Sequence, residues 1–224
     1  MALAVDAVSN TSGSGTGPFT FSHTVSGSDR ALCVCIANYR NTTYITDVTF
    51  DGDALTELES LTSGEYTVSI WGMAAPNTGT LTVSVTPNLS VFDIGISAIS
   101  FTGVDQVTPF GTAGSASGTS DAPSVAVSSA SGELVLDSLL IVHSGTLTVG
   151  SGQTQRVKTN TGNAFIQYAC STEPGASSTT MSWSNSTSQD WAIAAVPVKP
   201  VSGGGGSFQA AWAVGSNILL LGAA

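Results

Sequence analysis

A period of two runs through this chain. From Phe19 to Val25, apolar and small polar residues alternate position by position, and the rhythm returns in Tyr66–Trp71, Leu81–Val85 and Phe92–Phe101. Side chains alternate sides along a strand but recur every 3.6 positions on a helix, so this pattern turns one face inward only in extended structure. Clusters of Gly, Ser, Asn, Asp and Pro punctuate the segments, and helix signals are almost absent. Ala31–Ile36 is a continuous apolar run, as expected for a strand covered on both faces. Asp47–Phe50, Asp51-Gly52 and Asp53–Leu58 read as a hairpin, since Asp-Gly favours a tight two-residue turn.

After a Gly/Ser/Thr-rich stretch, Gly111 to Ser120, the pattern begins again. Leu32 aligns with Leu134, Val68–Pro76 with Ile166–Pro174, Thr82–Val85 with Thr180–Trp183, and Asp93–Ile99 with Asp190–Val196. The expected fold is therefore all-β: a double-sheet antiparallel sandwich, jelly-roll-like, of about ten strands from an internal duplication. The sandwich is expected over residues 1–201, with half-repeats at about 19–104 and 121–200 joined by 111–120. A single sandwich is preferred to two small ones, because a half this short has few large side chains with which to fill its own core. Residues 202–207 read as a flexible glycine linker and 208–224 as an apolar C-terminal assembly arm.

Charge narrows the partners. Asp and Glu outnumber Lys and Arg by 15 to 5, a formal net charge of −10, so no basic footprint for nucleic acid exists. No run of eighteen apolar residues predicts a membrane span, and no signal pattern is visible. Cys33 and Cys35 lie two apart on a strand and share a face. A disulfide from one of them to Cys170 is one reading, and three reduced, buried thiols the favoured one.

Catalytic chemistry finds little footing. His23 sits at an alternating position and His143 follows Leu139–Val142, but serines are too numerous for a Ser–His–Asp pattern to carry information. The chain reads as a non-enzyme without a cofactor. Asp47, Asp51, Asp53 and Glu57 are weak calcium candidates, since hard cations take several oxygens from one loop; a solvated hairpin explains them better. Trp183 and Trp191 replace inward positions of the first half and read as core, whereas Trp71 breaks the Val68/Ile70 alternation and is the candidate for an exposed glycan platform.

The strings VTFDGDALTEL and YTVSIWGMAAPNTGTLTVSVTP, then Phe101–Pro109 and the Trp191–Pro200 ending, resemble a poorly characterised family of β-sandwich proteins frequent in tailed-phage genomes and environmental bacteria. The resemblance covers roughly Ala4 to Pro200 and implies a virion-associated or surface structural domain; it transfers no catalytic residue. The expectation is a structural protein of a phage virion, a capsid decoration or fibre-type subunit. It is made in the cytoplasm and assembles through Phe208, Trp212, Val214, Ile218, Leu219, Leu220 and Leu221 with itself and another virion protein. The alternative is a carbohydrate-binding module or adhesin at an extracellular surface, with surface glycans as partners.

Overall fold

The computed structural model describes residues 2–39, 44–142, 145–161, 163 and 165–201. The described residues form seventeen strands and no helix, more than the ten expected. The first half supplies β1 (Ala4–Gly15), β2 (Phe19–Val25), β3 (Ala31–Tyr39), β4 (Ile45–Phe50), β5 (Asp53–Ala54), β6 (Thr56–Ser63), β7 (Tyr66–Ala74), β8 (Gly79–Pro87) and β9 (Val91–Thr102). The second supplies β10 (Gly114–Ser120), β11 (Ser124–Val127), β12 (Leu134–Val142), β13 (Thr148–Val149), β14 (Thr154–Asn160), β15 (Ile166–Pro174), β16 (Thr179–Ser184) and β17 (Gln189–Val198).

Each sheet draws its strands from one half only. The first half pairs a five-stranded sheet, β1-β9-β3-β7-β6, with a four-stranded one, β2-β8-β4-β5; the second pairs β10-β17-β12-β15-β14 with β11-β16-β13. Three apolar cores lie between these layers. Leu32, Val34, Ile36, Phe50, Val83 and Ile96 fill the space inside the first pair, and Val135, Leu139, Ile141, Met181, Trp183 and Ile193 the space inside the second. The third core takes residues from both five-stranded sheets, among them Cys33, Cys35, Ile70, Phe101, Leu136, Leu140, Tyr168 and Val196. The two five-stranded sheets therefore face each other, and the four layers stack in one column.

This explains the run Ala31–Ile36. In β3 the even positions Leu32, Val34 and Ile36 enter the first core, and the odd positions Cys33 and Cys35 enter the central one. A strand with two buried faces has no place for a polar alternate. Small residues at the centre, Cys33, Cys35, Ala37, Ala192 and Ala194, leave room for Tyr168, which is fully buried. Its ring lies over Gly95, where an added Cβ would stand 2.7 Å from the ring carbons. The cysteines are free and buried, and burial pushes the thiols of Cys33 and Cys35 well above the ordinary range. Cys170 meets Ser97 across the central core at 3.3 Å.

The Asp51-Gly52 turn forms as read. Both residues have positive φ, 56° and 87°, and Phe50 pairs with Asp53 across it. The strand after the turn is shorter than expected. It ends at Ala54, Leu55 is buried with its N–H on Val48 O at 2.8 Å, and the chain crosses to the other sheet as β6. The stretch 111–120, expected as a connector, holds β10 at the edge of the second five-stranded sheet. The Ser/Gly-rich β1 likewise forms an edge strand ahead of the expected repeat start at residue 19.

The second core encloses a carboxyl group. Asp137 is fully buried and accepts hydrogen bonds from Trp183 Nε1 (2.7 Å) and the Ser171 amide. Burial pushes its pKa up to about 7, against the pull of those two donors. The folded chain therefore holds this proton more tightly than the unfolded chain. The associated stability is complete below about pH 4 and is lost as the pH rises through 7, by up to about 4 kcal/mol. Denaturation midpoints of Asp137→Asn should lack that decline between pH 4.5 and 7.5 relative to the wild type, approximate settings chosen to bracket the titration; an unchanged pH slope contradicts the assignment. Gly95→Ala should cost about 1–3 kcal/mol by forcing Tyr168 out of place, read from the same denaturation curves.

Candidate functional site

The sheets run between two poles. At one of them Tyr39 ends β3, Tyr66 opens β7, Phe92 is the second residue of β9, and Phe165 immediately precedes β15. Asp93 pairs with Tyr39, and Tyr39 with Tyr66, so adjacent strand ends bring the first three together. Phe165 comes from the second half and completes the cluster. Tyr39 stacks on Tyr66 (centroids 5.3 Å apart, 21° between planes) and on Phe165 (6.0 Å, 13°), while Phe92 meets Tyr39 and Phe165 edge-on at 5.6 and 4.8 Å. Such geometries suit the quadrupoles of aromatic rings. Phe92 and Phe165 nevertheless remain 42% and 46% exposed, a large apolar display for a pole of a charged molecule.

A notch of about 360 Å³, lined by Tyr39, Glu65, Phe92 and Phe165, opens there. The Tyr39 hydroxyl donates to Glu65 Oε2 at 2.7 Å, and this bond to a carboxylate raises the phenol pKa. The Tyr39 proton is thus held at neutral pH, and the notch joins aromatic faces to an anionic acceptor. Its second wall is fixed from below. Asp93 is fully buried, and its carboxylate accepts hydrogen bonds from the Thr161 hydroxyl and, at 3.3 Å each, from the amides of Asn163 and Phe165. One carboxylate in the first half therefore holds the segment of the second half that carries Phe165.

The residues singled out from sequence lie elsewhere. Trp71 is corrected: it is 8% exposed, packs in the first core, and its Nε1 donates to Ser69 Oγ at 3.2 Å, so no ring face is open for stacking. The break in alternation that marked it arises because β7 is covered on both sides, with Val68 and Ile70 in the central core. Trp183 and Trp191 are buried as expected. The calcium candidates are not brought together. Asp51 and Asp53 both receive Asn77 Nδ2 (3.2 and 3.3 Å), Asp47 is exposed on β4, and Glu57 lies on β6 in the other sheet. Among the described residues no group of three or more His, Cys, Asp and Glu could hold a metal ion, and no helix is long and apolar enough to cross a membrane.

His23 is buried, hydrogen-bonded through Nδ1 to Ser9 Oγ at 2.7 Å, and its Nε2 has no hydrogen-bond partner among the described residues. Burial lowers its pKa to about 4, with the nearby Asp6 charge opposing. It is a neutral core residue packed edge-on against Phe50 (6.3 Å), and Asp6 bonds Ser26 and Ser100 instead of orienting the imidazole. The Ser9–His23 pair lacks the third member and the access that nucleophilic catalysis needs. His143 and the arm residues Phe208, Trp212, Val214, Ile218, Leu219, Leu220 and Leu221 lie outside the described residues.

Tyr39, Glu65, Phe92 and Phe165 carried no motif in the sequence. The one available signal was aromatic residues at strand ends beside turn-forming clusters, where core packing does not call for them. Replacing Asp93 by Ala should cost about 1–3 kcal/mol by orphaning buried donors. It should also abolish hydrogen-exchange protection of the Phe165 amide, and retained protection would show that the segment is held by other contacts. Comparison with family models, curated proteins and solved structures finds no match to this chain, so the geometry of this pole carries the functional reading.

Proposed function

We propose that the chain is a non-enzymatic structural protein of a virion or a comparable particle, held at one pole and presenting the aromatic notch at the other. The polarity of the body carries this reading. Ala4 pairs with Thr102, and the Val201 amide donates to Gly103 O at 2.8 Å, so the described chain enters and leaves at the pole opposite Tyr39, Phe92 and Phe165. Nine residues of β3 at about 3.3 Å each put roughly 30 Å between the poles. Attachment through the segment after Val201 leaves the notch facing outward. The resemblance to phage-associated β-sandwich proteins supports the particle setting.

Connectivity supports a tandem jelly roll as the frame. In the first half β1-β9-β3-β7 faces β2-β8-β4-β5, the order produced by folding one long hairpin into two sheets, and the second half follows it with β10-β17-β12-β15 over β11-β16-β13. Internal duplication accounts for this and for a shared irregularity: the matching edge strands β6 and β14 are each shifted by one residue, at Leu58 and at Arg156. Facing refines the alignment. Leu32 points into its sheet pair as Val135 does, which supports pairing Leu32 with Val135 in the repeat alignment. Jelly rolls serve both capsids and lectins, which agrees with a structural body bearing a recognition pole, although fold alone assigns neither role.

Assembly is tested on the full chain. Light scattering should show an oligomer for the wild type and a folded monomer for Trp212→Ser/Leu220→Asp. Mass spectrometry of purified particles should find the protein as a stoichiometric component, and its absence from them contradicts the particle reading.

A further inference from the structure

The notch has a neighbour. Beside it, with Tyr66 as part of its lining, a second, polar hollow of about 180 Å³ is lined by Ser63, Gly64, Gly118, Thr119 and Asp190. Tyr66 stacks on Tyr39, a lining residue of the first notch, so the two depressions adjoin across one aromatic ridge. One presents ring faces with a single carboxylate, the other hydroxyls, backbone and a second carboxylate. Among the described residues, neither lining contains a Lys or Arg.

We propose that this pole is a binding site for a neutral glycan of hexopyranose units, with one ring against Phe92 and Phe165 and the next over the Ser63–Asp190 hollow; the site deepens the recognition role proposed for this pole above. A pyranose with equatorial hydroxyls has an apolar face of axial C–H groups and a polar rim. The first suits an exposed aromatic face, and the second supplies hydroxyl donors to carboxylates. Few other ligands answer both demands at once. Apolar side chains laid in the notch would cover the Glu65 carboxylate and add no donor of their own, leaving the Tyr39 hydroxyl as its one side-chain donor among the described residues. Burying a charge is costly unless it is fully paired. A phosphate, a nucleic acid or an acidic sugar would meet two carboxylates in a chain of net charge −10, with no cation among the described lining residues. The first notch falls within the roughly 300–1,000 Å³ of small-ligand sites, at the scale of a sugar unit. Glu65 is already oriented by the Tyr39 hydroxyl, and Phe165 by the Asp93 carboxylate, so little ordering remains for the ligand to impose.

Saturation-transfer NMR on the full chain tests this with cellobiose and N,N′-diacetylchitobiose at millimolar concentration, with glucuronic acid as the charged control. Saturation should reach the ring protons of at least one neutral disaccharide and not glucuronic acid. Phe92→Ala and Phe165→Ala should each weaken binding by roughly tenfold, the equivalent of about 1.4 kcal/mol. Glu65→Gln, in an exposed turn where folding is not at issue, should weaken it several-fold, with an unchanged thermal midpoint. Absence of transfer to both neutral sugars overturns the proposal, as does transfer that survives in folded Phe92→Ala/Phe165→Ala protein. Stronger transfer to glucuronic acid overturns it too. Displacement of the sugars by a synthetic peptide of residues 208–221 that perturbs Phe165 more strongly would assign the notch to a second copy of this chain. None of these outcomes depends on whether the protein is found in particles, so the two readings fail separately.

Discussion

The contact between the two five-stranded sheets is the constraint on which the remaining structure rests. It converts β3, β7, β9, β12, β15 and β17 from half-buried strands into strands with two covered faces. Burial on that scale answers the problem posed by small halves, which have few large side chains of their own. The central core is built from small and medium residues, Cys33, Cys35, Ala37, Ala192 and Ala194, with one large exception in Tyr168. Close approach of the sheets requires that choice, and Gly95 beneath the Tyr168 ring shows how little slack is left.

The same contact creates the aromatic pole. Phe92 and Tyr39 belong to one half and Phe165 to the other, and the Asp93 carboxylate fastens them across the seam. A notch made this way has two fixed walls because the halves cannot slide without breaking a buried core. The described lining residues offer the notch aromatic rings and a carboxylate hydrogen-bonded to the Tyr39 hydroxyl. The imidazole of His23 is buried beside Phe50 and serves packing. The direction of the strands places the notch at one pole and both ends of the described chain at the other.

Alternation made strands with apolar inward positions legible, because burial of one face selects for it. β2, β7 and β8 were visible in that way, and the doubly covered β3 was visible as an unbroken apolar run. The Ser/Gly-rich edge strands β1 (AVDAVSNTSGSG) and β10 (GSASGTS) were not, since Ser and Gly without large apolar partners read as linker, whereas the edge strand β2 carries Phe19, Phe21 and Val25. Four sheets instead of two followed from the same limitation. An apolar residue declares that it is buried but not which of two cores receives it, and β7 shows the consequence: Trp71 looked out of phase because both phases are interior. The notch itself was illegible, being assembled from residues far apart in the chain whose aromatic character is equally suited to a core. Only the placement of Phe165 beside Phe92 gives them a common purpose.

If the two halves share one core, they must open together. Native-state hydrogen exchange followed by mass spectrometry separates this from independent folding, because amides released only by global unfolding exchange at one common free energy. The account predicts that the central strands of both halves, β3, β7 and β9 with β12, β15 and β17, exchange with the same protection and lose it in parallel as denaturant is added. Exchange of one half at markedly lower protection, with the other still closed, would contradict it.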